Sequence, residues 1–330
     1  MGHDYSRANR VQLYQSQNLK DWTLGSEFGE LEGGHGGVWE CPDLFELAVD
    51  GDTNNKKWVM LVSLGSGGTN GGSGTQYFVG SFDGKTFKND NPPNRLLWID
   101  YGKDNYAGVT FSDIPEQDGR RLFMGWMSNW QYATKVPTTA WRSAMTLPRA
   151  FNLKTTKDGI RLISTPAKEL EILRSNTTQI PATVIENNYD LQVSDANALE
   201  LELTFDLSAT DAASFGVELY NDLGENFKIR YDRTANLFIA DRSNTGNSSF
   251  SPDFAGLHFA PRTIVDNKNE LTLHLFIDHS SIEVFADGGA TVITDIFFPN
   301  KRLDKVRFFT QGGKVALKAS KYFELQSVEN

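Results

Sequence analysis

The residues best placed to do chemistry lie in Gly33-Gly-His-Gly-Gly-Val-Trp-Glu-Cys-Pro-Asp43, where Glu40 stands between Trp39 and Cys41-Pro42. A carboxyl set among apolar neighbours has its charged form disfavoured, so it keeps a proton to higher pH and can give it to a leaving group near neutrality. On this reading Glu40 is a general acid; the competing reading is a solvated loop carboxylate. Other motifs point away from phosphate and metal chemistry. The run GSGGTNGGSG (65–74) lacks a closing Gly-Lys-Ser/Thr and precedes an apolar stretch, which predicts a loop between strands and no phosphate cradle. His274 and His279 flank LFID without zinc-motif spacing, and a glycine-rich loop accounts for His35, so neither metal nor cofactor is expected. Cys41, the one cysteine, excludes an intrachain disulfide and an all-cysteine metal site.

The elements that must hold Glu40 are strands. All seven tryptophans fall in the first 141 residues, and helical periodicity is nearly absent. One short helix is expected in AKELEILR, started by a Thr165 cap with Pro166 in its first turn. Beyond it, apolar and polar residues alternate in 199–207, 215–220, 227–231, 271–277 and 281–285, separated by turn residues such as NDLGEN and DGG. Short period-2 strands at this spacing predict an antiparallel β-sandwich. The first part repeats itself. Ser16-Gln-Asn-Leu-Lys-Asp-Trp22 and Ser81-Phe-Asp-Gly-Lys-Thr-Phe87 are offset by 65 residues, and the apolar strands at Trp58 and Leu122 by 64. A strand-rich repeat of that length predicts β-propeller blades. A ring closes with about four to eight blades, more than residues 1–165 can supply, so an incomplete propeller is expected, with N-terminal blades outside these 330 residues or supplied by another chain.

Four segments carry a resemblance: WECPDLF (39–45), GSGTQYFVGSFDGKTF (72–87), DYGKDNYAGVTFSD (100–113) and GWMSNWQYATKVPTTAWRSAMTLPRAF (125–151). They are similar to the glycoside hydrolase family 32 enzymes, the levanases, exo-inulinases and invertases. ADRSNTGNSSF (240–250) and HLFIDHSSIEVFADGGATVITDIFFP (274–299) resemble that family's appended sandwich. The resemblance implies an all-β chain, a partial five-bladed β-propeller over 1–165, a linker over 166–180 and a sandwich over 181–330. It also implies retaining cleavage of β-fructofuranosyl bonds by three carboxylates: a nucleophile in Asn-Asp-Pro, an acid in Glu-Cys, and a stabiliser in Arg-Asp-Pro. Of these only the acid is present, as Glu40; neither aspartate motif occurs in the sequence. The chain alone is therefore expected to hydrolyse little or nothing.

By the same resemblance Asp100, Asp104, Trp126 and Trp130 face a fructose pocket or its rim, since carboxylates bind sugar hydroxyls and an indole covers a sugar's apolar face. The plainer readings are that Asp100 and Asp104 form turns beside Gly102 and that Trp126 is blade core. Asp43 joins the substrate-binding set, or fixes its loop through backbone bonds. The partner expected is fructan or a sucrose-type carbohydrate, with self-association through the open propeller. The competing function is a non-catalytic fructan-binding protein; a third is an interaction scaffold. A net charge of -10 disfavours nucleic acid, and no window reaches the roughly 20 apolar residues of a membrane span. Residues 1–20 have no apolar core like that of a signal peptide, and the family's habit implies an extracellular or periplasmic location.

Overall fold

The computed structural model describes residues 9–327, and nearly all of its regular structure is strand. The first part contains β1 (Val11–Gln15), β2 (Thr23–Phe28), β3 (Trp39–Val49), β4 (Asp52–Leu64), β5 (Gly74–Phe82) and β6 (Phe87–Asn89). After these come β7 (Tyr106–Thr110), β8 (Arg121–Met127), β9 (Ala144–Met145), β10 (Arg149–Thr156) and β11 (Gly159–Pro166). Strands β3 to β6 make one antiparallel four-stranded blade, and β7, β8, β10 and β11 make a second. The two are joined by a single parallel pairing of Val49 with Leu153. The hairpin β1–β2 stands where the outer half of a preceding blade would, packing Val11 and Phe28 on Met60, Val62 and Phe78. The described sheets do not close into a ring.

The repeat has a physical basis. Asn18 and Asp83 occupy matching places in the turns β1–β2 and β5–β6, and each carboxamide or carboxylate oxygen accepts two backbone N–H groups: Lys20 and Asp21 for Asn18, Lys85 and Thr86 for Asp83. Trp58 and Leu122 lie in β4 and β8, the second strands of their blades.

The expected helix is instead a 3-10 helix, Lys168–Leu173, with no side-chain cap. Thr165 and Pro166 belong to β11, where the Thr165 hydroxyl donates to the Ala150 carbonyl (3.3 Å) and is not free to cap. The segment 166–180 is only partly a connector, because it ends in β12 (Arg174–Ile180), an edge strand paired with the chain's last strand.

Then follow β13 (Thr183–Ile185), β14 (Asn188–Leu191), β15 (Ala198–Asp206), β16 (Ser214–Tyr220), β17 (Asn226–Asp232) and β18 (Leu237–Asn244). The remainder are β19 (Leu257–Pro261), β20 (Glu270–Asp278), β21 (Ser281–Ala286), β22 (Thr291–Ile296), β23 (Lys305–Gln311), β24 (Val315–Leu317) and β25 (Ser320–Leu325). One sheet runs β12-β25-β15-β20-β21-β22 and the other β14-β23-β16-β17-β18-β19. Alternation places Leu199, Leu201, Leu203 and Phe205 of β15 in a shared core with Phe215, Val217 and Leu219 of β16, the packing of a sandwich.

Candidate active site

Glu40 lies near the start of β3 and Tyr106 opens β7; these are the innermost strands of the two blades. Both strands break register directly after the site residue. On β3, Glu40 pairs with Ser63 but Asp43 with Leu61, so one extra residue is accommodated, and Cys41 takes φ 48°. On β7, Tyr106 pairs with Trp126 but Val109 with Met124, and Ala107 takes φ 52°. Each is a one-residue β-bulge, which exchanges the faces of the strand. The exchange is visible in packing. Trp39 shares a face with Leu44, against Phe28 and Phe78, whereas in an unbroken strand it would share one with Phe45. Glu40 is thereby turned toward the second blade, where the Tyr106 hydroxyl donates to its Oε2. Burial, and then the Glu40 carboxylate, push the Tyr106 phenol well above its ordinary value, so it remains a donor. Burial, with Glu40 beside it, also raises the Cys41 thiol, which disfavours a thiolate there.

The aromatic wall continues from this pair. Tyr106 meets Trp126 edge-to-face at 6.2 Å, and Trp126 meets Trp130 at 4.9 Å with a 49° tilt. Trp130 is 56% exposed and its backbone N–H donates to Ser73 Oγ (3.0 Å). Gly65 faces Glu40: a Cβ there would lie 3.7 Å from both Glu40 Oε2 and Tyr106 Oη, so any larger side chain would fill the open face. The arrangement offers a carboxyl with a fixed donor beside a stepped indole surface, which suits proton transfer to a sugar oxygen.

The structure brings Glu40, Trp126 and Trp130 together and corrects several expectations. Glu40 is exposed, and the apolar enclosure expected from Trp39 and Pro42 is not there, because the bulge sends Trp39 to the opposite face and Pro42 points to solvent. His35 stacks on Trp39 at 5.2 Å. Asp43 is half-buried, and its Oδ2 accepts the Thr110 N–H and hydroxyl, both at 2.7 Å, tying the inner strands together beyond their bulges, the loop-fixing role that was its alternative reading. Asp100 (4% exposed) and Asp104 (0%) are buried against the sandwich and cannot touch a sugar. Asp100 accepts from Arg149 Nη1 (2.9 Å), the Thr294 N–H (2.9 Å) and hydroxyl (2.6 Å), and the Gly102 N–H (2.9 Å), the turn its spacing suggested. Asp104 accepts from Tyr132 Oη (2.6 Å), Arg242 Nη1 (2.6 Å) and the Ile296 N–H (3.0 Å). Tyr106 and Gly65 were missed as site residues. The signal for Tyr106 was the repeat, since it stands 66 residues after Glu40, close to the offsets of 64 and 65; Gly65 had none beyond opening the glycine-rich run 65–74.

Among the described residues one group has ligating side chains close together, Glu200, Glu202 and His274. Arg174 donates to both Glu200 oxygens (2.6 and 2.8 Å) and Lys321 pairs with Glu202 (2.8 Å), so cations of the chain already occupy it. Among the described residues no helix is long and apolar enough to cross a membrane.

Comparison with known proteins agrees with this architecture. Residues 1–166 match the glycosyl hydrolases family 32 N-terminal domain, and 169–324 match the glycosyl hydrolases family 32 C-terminal domain. A levanase of Bacillus subtilis is 48% identical over 97% of this chain and 47% of its own length. An extracellular exo-inulinase of Aspergillus niger is 36% identical over 92% of this chain and 58% of its own. The crystal structure of an exo-inulinase from Aspergillus awamori superposes with a TM-score of 0.87 at 32% identity, over 98% of this chain and 63% of that one. The chain thus spans about half the length of the curated relatives it matches. With the two domain models together matching nearly all of the chain and the blades and sandwich in that order, the chain belongs to glycosyl hydrolases family 32.

Proposed function

We propose that this chain carries the proton-donating half of a retaining hydrolase acting on β-fructofuranosyl linkages of levan, inulin or sucrose. The observation that supports it most is the pairing of Glu40 with Tyr106 on two bulged inner strands, beside the exposed face of Trp130. In this reading Glu40 protonates the departing oxygen and later activates water, while Trp126 and Trp130 carry the sugar's apolar face. A retaining mechanism also needs a nucleophilic carboxylate about 5–5.5 Å from the acid. No Asn-Asp-Pro or Arg-Asp-Pro occurs in the 330 residues, so by themselves they bind fructan but release little or no fructose. Levan, inulin and sucrose are the substrates to assay, by free fructose in solution and by calorimetric binding. Binding without turnover is expected, with the Trp130→Ala variant losing most of the binding. Turnover at ordinary glycosidase rates would show that another residue of this chain serves as nucleophile, and absence of saturable binding would remove the sugar site.

Two further parts of the reading are proposals of the same kind. Exposed Val109, on the inner strand of the second blade, and Phe111, just beyond it, favour self-association, which sedimentation velocity measures. Export from the cytoplasm fits relatives that are named extracellular, and fractionation of the producing cell tests it.

A further inference from the structure

We propose that the sandwich sets the position of Glu40, through two loops that flank this carboxyl and are both fastened to sandwich strands. The proposal rests on the reading of Glu40 as the acid.

The first loop, 65–73, begins at Gly65, beside Glu40 Oε2, and supplies Ser73, which accepts the Trp130 N–H. Its tip is held by Asn70. That side chain accepts the Phe259 N–H of β19 (2.9 Å) and donates to the Phe259 carbonyl (3.1 Å) and to the Tyr101 carbonyl (2.5 Å). One carboxamide thus joins this loop to the sandwich and to the second loop.

The second loop, 98–105, ends at Tyr106, whose hydroxyl holds Glu40. It lies along β22, the edge strand of the larger sheet, and bonds to it as an added strand would: Tyr101 N–H to the Val292 carbonyl (2.8 Å) and Asp104 N–H to the Thr294 carbonyl (3.1 Å). Gly102 permits the approach, since a Cβ there would lie 2.0 Å from the Thr294 carbonyl oxygen. Two residues before Tyr106, Asp104 is fixed by Arg242 of β18, itself fully buried and donating to the Phe254 and Ile296 carbonyls (2.9 and 3.0 Å). Asn129 locks the loops to each other, donating to the Lys103 carbonyl (2.8 Å) and accepting the Ser73 N–H (3.2 Å). Close-packed interiors transmit small displacements because they have no slack to absorb them. Loosening either fastening therefore moves Tyr106 or Gly65 relative to Glu40. Asn70, Asp104 and Arg242 are positioning residues, which act through Tyr106 and Gly65.

The test is the resonance of the Glu40 carboxyl carbon, in 13C-glutamate-labelled full chain near neutral pH, assigned by its loss in Glu40→Gln. Variants Tyr106→Phe, Asn70→Ala, Asp104→Asn and, as a control on the outer sandwich face, Arg307→Gln are compared, each checked for a cooperative thermal melt. The expected result is that N70A and D104N displace the Glu40 resonance in the direction set by Y106F, by a smaller amount, while R307Q leaves it in place. Should D104N fail to fold, N70A decides alone, because Asn70 lies at a partly exposed loop tip. A Glu40 resonance unmoved in folded N70A and D104N, or unmoved in Y106F, overturns the proposal. Fructan binding measured on the same samples reports separately on the reading of the site.

Discussion

In the sandwich, β15 pairs with β20 over nine consecutive residues, Ala198 to Asp206, without a shift, and its apolar residues fill a single core between two sheets. In the blades, the two innermost strands each slip by one residue directly after Glu40 and Tyr106, and apolar packing is divided between two smaller clusters. Large apolar side chains remain open to solvent there, Trp22, Val109, Phe111 and Trp130 among them. Regular pairing produces rigidity and leaves every side chain on the face its parity dictates. Irregular pairing costs backbone strain, on the order of 1–3 kcal/mol for each non-glycine residue at positive φ, and re-aims a side chain. The site stands where the inner strands of the blades are irregular, and the sandwich, regular in its central β15–β20 pairing, supports it from behind.

The largest effects should come where the two regions meet. Replacing Arg242 by Met leaves Asp104 buried without its cation, while Asp295 keeps His258, and should cost about 3–5 kcal/mol, read as a lowered urea midpoint. The comparison itself predicts a gradient in packing. Phe215→Ala, deep between the sheets, should cost about 3–5 kcal/mol, whereas Trp22→Ala, on the exposed hairpin, should stay within about 0.5 kcal/mol; equal losses in denaturant melts would mean that the hairpin is packed against something. Tyr106→Phe removes one hydrogen bond and should cost about 1 kcal/mol, a difference resolvable by the same melts.

The smallest expected effect concerns acid. Burial alone would raise the Glu200 carboxyl, but the bonds from Arg174 and His274 outweigh it and hold the carboxyl below its ordinary value. A carboxylate depressed in the folded state adds stability above its unfolded value, and that stability is lost as pH falls through the depressed one. Glu200→Gln should therefore lower stability near neutrality and lose less on acidification than the parent chain, as urea midpoints across the acid range would record.

Much of the fold could be read from the sequence, because alternation and turn chemistry are local. The five alternating runs between 199 and 285 coincide with β15, β16, β17, β20 and β21, and the Asn18 and Asp83 turns recur where the repeat placed them. The site was legible only in part. Glu40, Trp126 and Trp130 stand in recognisable motifs, but a bulge has no residue signature when Cys41 and Ala107 occupy positions that glycine would normally mark. The environment of Glu40 was misread for that reason. Asp100 and Asp104 were misplaced because their partners, Thr294 and Arg242, lie 194 and 138 residues away, beyond the reach of any local pattern.

The most direct test of the site is to map a short inulin-type oligosaccharide onto the isotope-labelled chain by chemical-shift perturbation. Resonances of Glu40, Tyr106, Trp126 and Trp130 should move together and saturate at one sugar concentration, with Trp130→Ala removing the effect. Saturable shifts confined to the sandwich, with those four residues unmoved, would contradict the assignment.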